Sequence, residues 1–322
     1  VTPQPFFSFV RPLAVAAFGG NALLRPEDAG AQAEQQARAE EAARRLLPIL
    51  NRGYELIVVH GNGPQVGNIL IQVEEAADAI PPQTLDVCVA QTQGSMGFLL
   101  EAAMTNVLHR AGFRKEVVTI VTTVEVDAAD PAFAHPSKPI GPFFSAERAG
   151  ALKKSRGWVM VEDAGRGWRK IVPSPRPRAI RNTEVVAGLV NRGKIVIAAG
   201  GGGVPVVVDD RGEMRGVEAV IDKDYAAAML AASLAADIFI VLTGVEKVCR
   251  DFGKPGERAL AELRLEEARE LFAAGQFPKG SMGPKIDAAI QFLEAGGREV
   301  LITSPEALSA ALDGRTGTYL RK

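Results

Sequence analysis

The sequence predicts an α/β protein: a mainly parallel sheet with helices on both faces and a small protruding subdomain. Three observations carry the prediction. Short apolar runs recur along the 322 residues: LAVAAF (13–18), ELIVVH (55–60), EVVTIVTTV (116–124), KIVIAA (194–199), DIFIVL (237–242) and EVLIT (299–303). Long Ala/Leu/Glu/Arg-rich stretches separate many of them, and strands that are apolar throughout belong to sheets buried on both faces. Glycine clusters end three of the runs, at FGGN (18–21), HGNGPQ (60–65) and AGGGGV (199–204). In such sheets ligands bind beyond the carboxyl ends of the strands.

In chain order, residues 1–12 (VTPQPFFSFVRP) have no long apolar core, make a poor signal peptide, and read as an irregular N-terminal extension. The first run follows, then a helical stretch over Ala31–Leu50 closed by Gly53. The second run leads through HGNGPQ into a helix-like segment. A further helix over Val87–Arg110 is closed by Gly112. From about Glu125 to Arg178 the alternation stops: prolines at 131, 136, 139, 142, 173, 175 and 177 and both tryptophans, Trp158 and Trp168, fall in this stretch. It is too long for a connection, so we read it as an ordered insert. Helical stretches resume at Tyr225–Ala235 and Pro284–Ala295. A seam near Val204 suggests two lobes facing one cleft, 13–203 (holding the insert) and 204–322.

Composition excludes several classes. A formal net charge of −1 provides no basic field for nucleic acid or a membrane surface. No stretch approaches the roughly 18 apolar residues of a membrane span. Cys88 and Cys249 lie far apart and suit a reducing cytoplasm. The three histidines, His60, His109 and His135, have no metal-site spacing, so any metal should be a hard cation held mainly by phosphate oxygens and a carboxylate. P-loop, protein-kinase, dinucleotide and nucleophile-elbow motifs are all missing.

The four glycines at 200–203 lack Cβ atoms, which lets main chain approach a bulky ligand and turns N–H groups toward anions; a plain turn is the alternative. Lys223, between Asp222 and Asp224, and Lys285, after GSMGP, both stand at helix starts. A cation there opposes the macrodipole, and an anionic ligand would supply the reason; solvated surface lysines are the alternative. Lys138 lies in the proline-locked loop HPSKPIGPF, where it either positions a charge or merely caps the insert. Of Asp222 and Asp224, one can hold Mg²⁺ or orient the lysines while the other caps the helix.

Taken together, FGGNALL, VVHGNGPQVGN, LDVCVAQTQGSMG, HPSKPIGPF, EDAGRGWRKIVPSP, GGGGVPVV, GVEAVIDKD, LTGV and GSMGPKI closely resemble the carbamate kinases of the amino acid kinase superfamily, in order from about Leu13 to Tyr319. The resemblance implies an open three-layer αβα sandwich with a protruding subdomain, a homodimer, and reversible phosphoryl transfer between ATP and carbamate with Mg²⁺. Family members often run toward ATP in arginine or purine-derived catabolism. By matching motifs, Gly19, Gly20, Asn21, Gly61, Asn62 and Gly63 hold the carbamoyl phosphate side. Lys138, Lys223, Asp224 and Lys285 surround the transferred group, and Gly200, Gly201, Gly202, Thr243, Gly244 and Val245 line the nucleotide pocket together with Lys223 and Lys285. Phe18, where a smaller aliphatic residue is usual, and the N-terminal extension depart from the pattern. An acetylglutamate kinase and a non-catalytic nucleotide sensor are the competing readings; the insert speaks against the first and the intact lysines against the second.

Overall fold

The computed structural model describes residues 7, 9–19, 31–163, 165–278 and 280–322. In chain order the first part runs β1 (Leu13–Phe18), α1 (Gln32–Asn51), β2 (Glu55–His60), α2 (Gly63–Glu75), α3 (Leu85–Arg110), β3 (Val117–Thr119) and β4 (Thr123–Val126). The insert follows as β5 (Lys138–Phe144), α4 (Ala146–Arg156), β6 (Met160–Glu162) and β7 (Trp168–Val172), and β8 (Pro177–Ile180) leads out of it. Then come α5 (Thr183–Asn191), β9 (Ile195–Ile197), β10 (Val204–Val208), β11 (Met214–Gly216), α6 (Lys223–Ser233) and β12 (Ile238–Leu242). The chain ends with β13 (Val248–Arg250), β14 (Arg258–Leu260), β15 (Glu262–Arg264), α7 (Leu265–Ala273), α8 (Met282–Glu294), β16 (Glu299–Thr303), α9 (Leu308–Leu312) and β17 (Thr318–Arg321).

The main sheet has the order β15-β17-β16-β12-β1-β2-β9-β3. Its six strands from β16 to β3 are parallel, and β17 and β15 run against them at one edge. Because side chains alternate across a strand, β1 is divided between two cores. Leu13, Val15 and Ala17 face α5, α6, α7 and α8, whereas Ala14, Ala16 and Phe18 face α1, α3 and α9. That division makes the three-layer αβα sandwich. The strands from the first half of the chain (β1, β2, β9, β3) and those from the second (β12, β16, β17, β15) meet at the β1–β12 pair, so one continuous sheet spans both halves.

Two features differ from the sequence reading. The run EVVTIVTTV is broken: β3 pairs with β9 in the main sheet, while β4 joins β11-β10-β4-β8, a separate four-stranded sheet. The break falls at Thr122, whose N–H donates to Gln93 Oε1 at 2.8 Å and whose C=O accepts from Gln93 Nε2 at 3.0 Å and from the Val204 N–H at 2.9 Å. The ends of the 125–178 stretch belong to that second sheet, through β4 and β8. The part with its own sheet, β5-β7-β6, is 138–172. Its small core of Ala149, Leu152, Trp158 and Met160 rests on Ile71 of α2.

Among the described residues, no helix is long and apolar enough to cross a membrane.

Candidate active site

Strand register aligns the turns that the sequence singled out. Phe18 is paired with both His60 and Leu242, and Leu242 with Thr303, so Gly19, Gly61 and Thr243 all follow strands ending on one edge of the sheet. The Gly61 N–H donates to Phe18 O at 2.8 Å, and the Thr243 N–H to Thr303 O at 2.9 Å. Gly20 and Asn21 lie outside the described residues.

The glycine run meets the protein itself. A Cβ on Gly200 would stand 2.3 Å from His60 Nε2, one on Gly201 2.2 Å from Asn62 Nδ2, and one on Gly202 2.4 Å from Ile221 O. Gly201, Gly202 and Gly203 also take φ of +67, +96 and +85. These missing side chains therefore make room for neighbouring turns; the expectation that they open space for a ligand is corrected to that extent. The run forms a bridge with HGNG (60–63) on one side and Ile221, just before Asp222, on the other. Thr122 Oγ1 accepts from the N–H of Ala199, which holds a left-handed φ of 49° without being glycine.

Beside this bridge, Asp222 caps α6: its Oδ1 accepts from the Asp224 N–H at 3.0 Å. Its Oδ2 accepts from Lys138 Nζ at 2.7 Å, across from the insert. Asp224, only 2% exposed, accepts from Lys223 Nζ at 2.6 Å on one oxygen and from Lys285 Nζ at 3.0 Å on the other. Lys138, Lys223, Asp224 and Lys285 are thus brought together from three elements. Two helix N-termini, α6 and α8, reach the cluster, so its field is positive despite the carboxylates.

Burial and charge contend at each group. Burial alone would raise the Asp222 carboxyl, but Lys138 and Lys223 outweigh it and hold it well below the usual range. Burial likewise opposes ionisation of Asp224, and Lys223 and Lys285 overcome it. Burial would lower Lys223, yet Asp224 and Asp222 push it up. For Lys285, burial and the neighbouring Lys223 charge prevail and its pKa falls below that of an ordinary lysine. Each Asp224 oxygen accepts from one lysine, so in this structure the carboxylate holds the two ammonium groups together. Asp222 is the cap. Among the described residues no group of three or more His, Cys, Asp or Glu gathers to hold a metal.

The structure adds residues to which sequence reasoning gave no role. Asn62 Nδ2 donates to Thr92 Oγ1 at 2.9 Å, and Gln93 holds Thr122. Val89, Thr92, Gln93 and Met96 are all buried along one face of α3. Two polar residues inside that i, i+3, i+4, i+7 stripe were the available signal, since buried polar groups need partners. His60 is buried, and burial drives its imidazole down to about 4, so it is neutral at the foot of the turn. Gly244 has nothing within 4 Å of its Cβ position and no left-handed φ, so the fold alone does not require glycine there.

A model of the amino acid kinase family matches residues 12–304. A carbamate kinase of Pyrococcus furiosus is 46% identical, over 95% of this chain and 98% of its own length. The carbamate kinase-like protein YahI of Escherichia coli is 47% identical over 97% of this chain and 100% of its own length. Among solved structures, carbamate kinase from Giardia lamblia bound to citric acid superposes with a TM-score of 0.92 at 40% identity, covering 97% of this chain and 99% of that one. The same Giardia enzyme bound to AMP-PNP gives 0.89 at 40% identity and the same coverage.

Proposed function

This chain belongs to the carbamate kinases of the amino acid kinase family, and from that premise we propose that its cleft transfers a phosphoryl group reversibly between ATP and carbamate. The observation that carries the reading is the pair of lysines, Lys223 and Lys285, held on the single buried carboxylate of Asp224 at two helix N-termini. A carbamate oxygen attacks the γ-phosphorus, ADP leaves, and carbamoyl phosphate results; the reverse reaction forms ATP. Carbamate is already an anion, so no general base is needed. What catalysis needs is alignment of anions that repel each other, and stabilisation of charge on the transferred group.

In this reading Lys223 and Lys285 face the transferring phosphoryl oxygens, and Asp224 fixes both ammonium groups before substrate arrives. Lys138 comes from the insert and shares its charge between Asp222 and the carbamoyl phosphate side. The backbone of Gly19 and of Gly61–Gly63 lines that side, and Gly20 and Asn21 remain assigned to it by the family motif. Thr243–Val245 line the nucleotide, with only the backbone of Gly200–Gly202 beside it, since their missing side chains make room for His60, Asn62 and Ile221. Mg²⁺ belongs with the nucleotide, held by its phosphate oxygens, where it would neutralise part of their charge. The binding of AMP-PNP by the Giardia relative favours the nucleotide assignment. We place the enzyme in the cytoplasm, a reading favoured by two free cysteines, and read it as a homodimer.

Coupled conversion of ADP to ATP with carbamoyl phosphate and Mg²⁺ tests the reaction. K223A and K285A should each lower turnover about a hundred- to a thousandfold with the fold intact, as loss of one preorganised charge does. Near-normal turnover in either variant would remove that lysine from the mechanism.

A further inference from the structure

We propose that Arg176, Tyr225 and Asp287 form a positioning clamp that sets the spacing of the two cleft lysines and ties it to the segment leaving the insert. The proposal rests on the reading of Lys223 and Lys285 given above. Asp287 Oδ2 accepts from Arg176 Nη2 at 2.6 Å and from the Tyr225 hydroxyl at 2.9 Å. The Arg176 guanidinium lies over the Tyr225 ring, 3.6 Å from its centre. Asp287 Oδ1 accepts from Gln291 Nε2 at 3.3 Å within α8.

The sequence offsets give the cluster its meaning. Tyr225 follows Lys223 by two residues on α6, and Asp287 follows Lys285 by two on α8. Two residues in an α-helix are about 200° apart, so each first turn turns its lysine inward and its clamp residue the opposite way. The two helices therefore grip each other twice, reciprocally. Inside, Asp224 of α6 holds Lys285 of α8; outside, Asp287 of α8 holds Tyr225 of α6. Opening either grip changes whether both lysines can reach one carboxylate.

Arg176 connects this to the insert. It stands between Pro175 and Pro177 on the segment from β7 to β8, and its N–H donates to Asp130 Oδ2 at 2.9 Å. Both flanking prolines fix their own φ, and the bond to Asp130 anchors the Arg176 backbone between them. An ordinary exposed ion pair of this kind adds little to stability. One that spans two helix starts and the insert's exit strand acts on geometry, and misplacing a reacting group by about 1 Å can cost on the order of a hundredfold in rate.

The test is a cycle with R176A, K285A and the double variant, read as kcat and KM for ADP and carbamoyl phosphate. R176A should lower kcat about ten- to a hundredfold, with KM for ADP and the melting temperature nearly unchanged. Placed on K285A, the same change should cost less than about threefold, because the lysine it positions is gone. D287N should repeat the pattern, and serves alone if R176A does not fold. An R176A kcat within about threefold of the parent overturns the clamp, as does an equal loss in both backgrounds. In those cases a crippled K285A leaves the reading of the active site standing; a near-normal K285A sinks both.

Discussion

At Asp224 two cations converge on one buried carboxylate, and each member makes the others' burial tolerable. Removing it would leave two lysines facing each other in a dry site, a loss of the kind that costs about 3–5 kcal/mol. The pattern IDKD shows the charges but not the pairing: that Lys285, sixty-one residues on, takes the second oxygen is decided by the packing of α8 beside α6. Gly202 gives the opposite lesson. Its composition suggested room for a ligand, whereas a Cβ there would strike Ile221 O at 2.4 Å. Gly202→Val should therefore lower stability by on the order of 3 kcal/mol, from combined overpacking and strain at positive φ. Urea unfolding checks it, and a valine variant as stable as the parent would return the glycine to a purely ligand-facing role. His60 predicts a pH effect. Burial lowers its imidazole from 6.5 to about 4. Between these values the unfolded chain binds a proton that the folded chain refuses, so stability is full above pH 6.5 and falls as pH drops toward 4. The window corresponds to on the order of 3 kcal/mol. Between pH 7 and 4 the unfolding free energy of the parent should fall by about that amount more than that of H60Q; parallel curves would mean His60 titrates normally.

Among the elements, α2 carries the contact that seats the insert. A Cβ on Gly67 would stand 1.9 Å from Cα of Gly141, so α2 and β5 touch backbone to backbone. Around them Trp158 Nε1 donates to Glu74 Oε1 at 2.8 Å, and Lys170 lies 3.6 Å from the same oxygen. Lys138 begins β5, three residues before Gly141, so this seat fixes where its ammonium lies. Gly67→Ala should push the insert outward, spare ADP binding, and lower carbamoyl phosphate turnover about a hundredfold. Calorimetry with ADP and the coupled assay read the two effects separately. Equal loss of both, or of neither, would contradict a seat that acts through Lys138. Sequence reasoning set the insert at about 125–178 from its prolines and tryptophans, and the three-stranded sheet within it spans 138–172. Strands of three to seven residues carry too weak a period to show which sheet they join, and β4 and β8 were settled by pairing with each other and, for β4, with β10.

For the whole molecule, we propose that the homodimer inferred above docks at the edge of the main sheet at β3. Phe98 on α3 is 65% exposed and Val121, just past β3, is 50% exposed; β3 itself pairs with β9 on one side only, with no described strand on the other. An apolar surface next to an open edge is a hazard for a monomer and an asset for a dimer. Phe98→Asp should shift the protein to monomer in sedimentation at micromolar concentration, and an unchanged dimer would locate the interface elsewhere. By itself the sequence determined the α/β class, the principal apolar strands, the helices flanking them and the glycine turns at their carboxyl ends. Apolar runs and helical periods are local, and each reports the burial of its own element. Through ordered motifs that resemble one family it also named Lys138, Lys223, Asp224 and Lys285, which the structure brings together. Only the tertiary structure decided that both halves share one sheet across β1 and β12, that the four glycines face protein, that Asp224 binds lysines on both oxygens, and that Arg176, Tyr225 and Asp287 meet behind them. Those facts depend on residues far apart in the chain. No local pattern reports which distant side chain will fill the space a fold leaves open, because that is fixed when the layers pack together.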